Sequence, residues 1–203
     1  MSHLKHERTL VIIKPDGVQR SLIGEIISRF ERVGLKMVAL KFLKPTKQMA
    51  TDHYYKIGGE AWLEAVGAKA RAAYEKNGQV SPYATNRDNG EAVLKANSRY
   101  LSAGPVVAMV LEGSHSVPLV RKIVGGTEPL TSDVGTIRGD YTLDSYSAAD
   151  TDSRSIRNLM HASGTVEEAN QEIEIWFKPE ELLSYKLAQE QILYDIDFDG
   201  EKE

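Results

Sequence analysis

His161 is the residue of this sequence best placed to do chemistry. It follows the short apolar pair Leu159 and Met160 and precedes Thr165, which with Glu168 three residues on forms the pattern of a capping box at a helix start. Helix N-termini favour anions, so an imidazole that carries a phosphoryl group would be at home there. Glu172 lies about two turns into the same helix and can face back toward His161. A carboxylate on one ring nitrogen fixes the tautomer and frees the other nitrogen as a nucleophile. On position alone, a histidine packed at a strand end is the simpler reading. Its neighbours decide the matter.

Three cations and one hydroxyl offer themselves as phosphate ligands. Lys14 stands where a β-branched run ends at the turn residues Pro15, Asp16 and Gly17, a place from which a side chain can project into a cleft. Arg138, in a long polar stretch, can grip phosphate oxygens with two parallel N–H groups. Arg121 on a short helix and Thr127 just after Gly125 and Gly126 add a cation and a hydroxyl. Taken singly, each is an ordinary surface residue. A loop arginine adds little to a core, so replacing Arg138 should slow transfer and spare folding. The glycine-rich phosphate loops and the protein-kinase strings are absent, so phosphates must be met by side chains. Arg138, Gly139 and Asp140 spell an adhesion string by chance. Asp195, Asp197, Asp199 and Gly200 resemble the first half of a calcium loop without its closing glutamate, and read as an acidic, loosely packed tail.

The elements that must position these groups follow from periodicity. Residues 9–13 form a strand, and Ile23, Ile26, Ile27, Phe30 and Val33 recur at helical spacing until Gly34 stops them. Residues 35–43 return to the period of two. A helix is expected over 61–75, a turn or loop over 77–90, and a strand buried on both faces over 105–111. A short helix over 116–124 ends at Gly125 and Gly126. The polar stretch 127–157 reads as one long loop, residues 158–161 as a short strand, and Val166, Ala169, Ile173, Trp176 and Phe177 as the apolar stripe of a last helix. Two βαβ units in series predict an α+β fold: a ferredoxin-like βαββαβ sandwich, with helices on one face of an antiparallel sheet.

The bulk numbers narrow the classes. The chain has 203 residues, 41% apolar and 27% charged, which suits one domain able to bury its own core. With 25 basic against 29 acidic residues the net charge is −4, a poor balance for general nucleic-acid binding. The absence of cysteine excludes disulfides and thiolate metal sites. No apolar run near Met1 reads as a secretion signal and none approaches the ~18 residues of a membrane span. The cytoplasm is the expected compartment, with no membrane partner.

Taken together, Arg8 and Thr9 with residues 13–20, then residues 104–109, 136–141, 158–163 and 176–182, resemble the nucleoside diphosphate kinase family along nearly the whole chain. The resemblance implies a single domain over 1–203 with an inserted helical lid, enlarged at about 55–99, and an enlarged loop at about 142–157. It implies a ping-pong reaction in which His161 takes the γ-phosphate of a nucleoside triphosphate and yields it to a diphosphate. Glu172 and Ser163 would orient the ring, and Lys14, Arg121, Thr127, Arg138 and Asn158 would bind phosphates and ribose. Tyr54 matches the lid tyrosine, with Tyr55 as its rival, and Trp62 is the candidate to stack on the base. Mg²⁺ would be held through the nucleotide phosphates and not by a protein site. A homo-oligomer is implied, a hexamer first and a tetramer next. The chain departs from the family's pattern after the histidine, where Ala162 and Gly164 replace glycine and aspartate. A nucleotide-binding relative without catalysis would have no need of His161, Lys14, Arg138, Asn158 and Glu172 together. An RNA-binding domain of the same architecture would need aromatics on a central strand and a basic surface, and has neither.

Overall fold

The computed structural model describes residues 6–76 and 78–194. His3, Lys5 and the acidic run from Asp195 lie outside the described residues. The path is β1 (Glu7–Ile13), α1 (Pro15–Gln19), α2 (Ile23–Glu31), β2 (Lys36–Leu43), α3 (Lys47–Lys76), α4 (Asn86–Leu101), β3 (Val106–Gly113), α5 (Ser116–Val124), α6 (Ile137–Tyr141), α7 (Tyr146–Thr151), β4 (Met160–Ala162), α8 (Val166–Trp176) and α9 (Glu190–Tyr194). The strands form one sheet in the order β2-β3-β1-β4, every neighbouring pair antiparallel. This is the α+β, ferredoxin-like arrangement that the periodicity predicts.

Strands β1 and β3 occupy the centre, and alternation along β1 divides the core in two. Val11 and Ile13 face α2 and α5 through Ile26, Phe30, Val120 and Val124. Leu10 and Ile12 face the other way, toward Ala50 of α3, Leu101 of α4, and Ile173 and Trp176 of α8. The crossover helices thus cover one face as expected, and the second face is covered as well. That explains why β3 is buried along its whole length: a strand enclosed on both sides reads as a continuous apolar run.

Two segments read as loops contain capped helices. Residues 86–90, expected in a turn, open α4 behind a capping box of Thr85 and Asp88. The long polar stretch holds a 3₁₀ turn (Pro129–Thr131) and the short helices α6 and α7. Thr136 and Ser145 cap these two by accepting from Gly139 N and Ala148 N. Helices of one or two turns are too short for periodicity to reveal. The segment Pro15–Gln19 is likewise a short helix with proline in its first turn, and not only a turn.

The segment expected as a lid is a helical hairpin of α3 and α4. α3 begins well before the expected residue 61 and is broken at Gly59, where φ is 51°. Beyond the break it meets α4 so closely that a Cβ on Gly67 would strike Asn86 O, and one on Gly90 would strike Leu63 O. Backbone therefore meets backbone, and no side chain separates the helices. Alanine has the better helix propensity by ~1 kcal/mol, yet the clash wins because a carbonyl cannot rotate aside. Gly90→Ala is expected to destabilise the protein by roughly 1–3 kcal/mol, read as a lower Tm. A Tm equal to or above that of the wild type would refute this packing.

Candidate active site

β4 hydrogen-bonds to β1 with His161 opposite Ile12. Alternation sends Met160 and Ala162 into the α2–α5 core and His161 to the α8 side. There Nε2 lies 2.9 Å from the Glu172 carboxylate. Glu172 is 4% exposed, so its charge must be paired. Ser163 supplies the second bond, its Oγ donating to Glu172 Oε2 at 2.6 Å. That hydroxyl also accepts from Leu10 N at 3.1 Å, which ties the carboxylate to β1. Among the described residues His161 Nδ1 has no hydrogen-bond partner. The ring is held from behind and open in front.

The start of α8 is closed by its own side chains. Thr165 Oγ1 accepts from Glu168 N at 3.1 Å, and the Glu168 carboxylate accepts from Gly164 N at 2.9 Å. A side chain at 164 would collide with that carboxylate. The anion seat suggested by the position of this helix is thus filled from within.

The cations come together across the lead-in to β4. Lys14 caps α1, and its Nζ donates to Asn158 Oδ1 at 2.8 Å, while Asn158 Nδ2 donates to Thr127 O at 2.9 Å. Between Asn158 and Met160 the chain turns through Leu159 at φ 68°, a left-handed conformation that is unfavourable for a branched residue. Hydrogen bonds on both sides hold it: Leu159 O accepts from Lys14 N at 2.8 Å and Leu159 N donates to Asp16 Oδ2 at 3.1 Å. Burial, and then the nearby Arg138 guanidinium, pull the Lys14 ammonium down to about 7. Tyr100 lies beside it, with Lys14 Nζ 5.1 Å and Arg157 Cζ 4.4 Å from the ring centre.

Arg138 corrects the expectation of a loop side chain. It lies on α6, 8% exposed, and donates to four main-chain carbonyls. Nε reaches Asn158 O at 3.1 Å, Nη1 reaches Gly125 O at 3.2 Å and Gly126 O at 3.0 Å, and Nη2 reaches Met160 O at 2.6 Å. It joins the end of α5 to the strand that bears His161. Burial is the main force lowering its pKa, Arg121 the second. Only one of the five N–H groups of a guanidinium remains for a ligand.

Lys14, Tyr54, Arg121, Thr127, Arg138, Asn158 and His161 all line one cleft of about 750 Å³, within the usual range for a small-molecule site. Tyr55 does not reach it; its hydroxyl donates to Glu60 at 2.9 Å. Trp62 stacks on Tyr54, ring centres 6.1 Å apart, and is not part of the lining. The aromatic walls are Tyr74 and Tyr83 of the lid and Tyr146 of α7. His53, which the motifs did not single out, lies edge-on to His161 with ring centres 4.3 Å apart. Donor atoms of His53, His161 and Glu172 fall within 4.8 Å of one another. Such a nitrogen-rich set suits zinc more than magnesium, but an ion would have to displace the His161–Glu172 hydrogen bond. Among the described residues no helix is long and apolar enough to cross a membrane.

Comparison with known proteins agrees with this geometry. A sequence profile described as nucleoside diphosphate kinase matches residues 7–72 and 81–182, so the stretch it leaves out is the tip of the lid hairpin. The nucleoside diphosphate kinase of Pyrobaculum aerophilum is 44% identical over 182 residues, covering 87% of this chain and 98% of its own. A crystal structure of an NDP kinase from that organism superposes with a TM-score of 0.84 at 41% identity, over 88% of this chain and 100% of the other. A Borrelia burgdorferi nucleoside diphosphate kinase, described as a transition state mimic with bound vanadate and ADP, superposes at 0.75 with 38% identity, over 94% of this chain and 98% of its own. With a family profile along most of its length and relatives near 40% identical across nearly their whole sequences, the chain belongs to the nucleoside diphosphate kinase family.

Proposed function

We propose that His161 carries the phosphoryl group between the two substrates of this nucleoside diphosphate kinase. The observation that carries the reading is the Glu172 carboxylate on Nε2, which leaves Nδ1 as the unengaged ring nitrogen of a residue lining the cationic cleft. In the first half-reaction the Nδ1 lone pair attacks the γ-phosphorus. The bond from that phosphorus to the bridging oxygen breaks, and the diphosphate leaves with the bond's electrons. Nε2 keeps its proton, and Glu172 balances the charge that the ring gains. The second half-reaction reverses these steps with the β-phosphate oxygen of another diphosphate as acceptor. Lys14, Arg121 and the remaining N–H of Arg138 neutralise phosphate oxygens, Thr127 and Asn158 position phosphate and ribose, and Ser163 orients Glu172.

Mg²⁺ enters on the nucleotide as part of the substrate. The groups around the phosphate positions are cationic or neutral, and Glu168 and Asp150 are the carboxylates in the cleft lining. Glu168 folds into the space that a side chain at Gly164 would need, and in our reading it replaces the family's aspartate in meeting metal-bound water. Tyr54 closes on the phosphates, and Tyr74 and Tyr83 face the base in place of Trp62. The ADP and CDP named with the Borrelia burgdorferi and Halobacterium salinarum structures support a site that accepts both purine and pyrimidine nucleotides. We further assign one domain with its lid at 55–99 and its loop at 142–157, a cytoplasmic location, and a homo-oligomer, hexamer before tetramer. Exposed Leu40 and Phe42 on the edge strand β2 and exposed Leu130, Val134 and Leu143 provide apolar surface for subunit contacts.

Three measurements test this reading. Incubation with γ-labelled ATP and Mg²⁺ should place an acid-labile, base-stable phosphate on the wild type but not on His161→Ala, and GDP should discharge it. Failure of the wild type to label would refute the phosphohistidine. A phosphate needs Lys14 as the ammonium, yet near pH 7 the free side chain is already losing its proton. Binding therefore takes up a proton above that pH, and nucleotide affinity should fall up to ~10-fold per unit there and level off below it. In Lys14→Gln the slope should vanish; its persistence would assign the titration elsewhere. Arg138→Ala should lose transfer and also about 2–4 kcal/mol of stability, seen in denaturant melts. A fully stable variant would show that its four carbonyl bonds are dispensable.

A further inference from the structure

His53 has no part in the mechanism above, yet it is placed where it governs the catalytic ring. It sits on the first half of α3, 2% exposed, with its ring 4.3 Å from that of His161 at an angle of 88°. On its other side the indole of Trp176 lies 5.7 Å away, and Trp176 Nε1 donates to His53 Nδ1 at 3.3 Å. Because Nδ1 accepts, the proton of a neutral ring must reside on Nε2. That nitrogen is buried and has no hydrogen-bond partner among the described residues.

An unpaired buried donor costs ~1–3 kcal/mol. A leucine would fill much of the same space without that cost, so packing alone gives no reason for a planar ring here. Glu172, oriented by Ser163, anchors the Nε2 end of His161, but that nitrogen lies near the extension of the Cβ–Cγ bond, so the contact only weakly resists rotation of the ring plane about that bond. A second ring set perpendicular against it removes that freedom. Burial chiefly, with His161 and Lys14 adding to it, holds His53 well below the usual imidazole range. The wall beside His161 is therefore uncharged.

We propose that His53 is a positioning residue: tied by Trp176 and set edge-on to His161, it holds the catalytic imidazole in the plane that keeps Nδ1 directed at the incoming phosphorus. This rests on His161 being the phosphate carrier. A ring free to swivel would still bind nucleotide but would spend less time aligned for in-line attack, so the loss should fall on the chemical step and not on binding.

The experiment measures single-turnover labelling of His161 by γ-labelled ATP, with KM and kcat, for wild type, His53→Ala and His53→Phe. Long-range ¹⁵N–¹H spectra of the imidazoles check that the His161 tautomer set by Glu172 is kept in each. His53→Ala should label at least 10-fold more slowly, with KM within about twofold and the His161 tautomer unchanged, because Glu172 still holds Nε2. His53→Phe, which keeps the perpendicular ring, should recover most of the rate. Wild-type labelling rates in His53→Ala would overturn the proposal, as would a loss confined to KM, or failure of His53→Phe to recover rate while its melt shows it folded. If the wild type itself never labels at His161, the phosphohistidine reading fails first, so the two failures are distinct.

Discussion

A carboxylate buried as deeply as Glu172 must find hydrogen-bond donors, and the site is organised by where it finds them. His161 comes from β4 and Ser163 from the residue just beyond it, while Ser163 in turn accepts from the main chain of β1. One charge thus sets the rotation of α8 about its axis, the register of β4 on β1 and the tautomer of the histidine. Removing either donor would strand the charge in a medium that does not solvate it. The group that holds the His161 ring also locks α8 to the sheet.

Arg138 plays the corresponding part for the cationic side. Its bonds to carbonyls of residues 125, 126, 158 and 160 hold the turn after α5 against the approach to β4. The backbone of Leu159 is kept in a left-handed conformation there, and Lys14 and Asn158 are brought face to face. Strain of this kind persists only where the surroundings over-determine it. Burial lowers the proton affinity of both Lys14 and Arg138, and like charge adds to it, Arg138 acting on Lys14 and Arg121 on Arg138. In the proposed reaction an arriving phosphate would relieve that repulsion, which is how a site of few residues would gain selectivity for anions.

The parts of this fold legible in the sequence are those with long periods or strong local grammar. Ile26 and Phe30 announced α2, Gly34 its end, and Thr165 with Glu168 the start of α8. The distance between Lys14 and Asn158, 144 positions apart in sequence, is not written in any local pattern; family resemblance brought them together where periodicity could not. The helices around Thr136 and Ser145 escaped notice because one or two turns give no repeat to count. Arg138 was recognised as a cation and misjudged as peripheral, since burial depends on which distant carbonyls converge on a side chain. His53 gave no signal at all. Its meaning lies in an angle between two rings.

The break at Gly59 separates two parts of α3 with different duties. Residues before it carry His53 and Tyr54, while those after it form, with α4, the wall of the cleft. A change in the length of the hairpin tip is transmitted along the second part and stops at the break, because a helix cannot pass register across a residue that has left helical geometry. The hairpin can therefore be lengthened or shortened at its far end as an independent module while the imidazole pair of His53 and His161 keeps its alignment. The stretch absent from the family profile, residues 73–80, lies at just such an end.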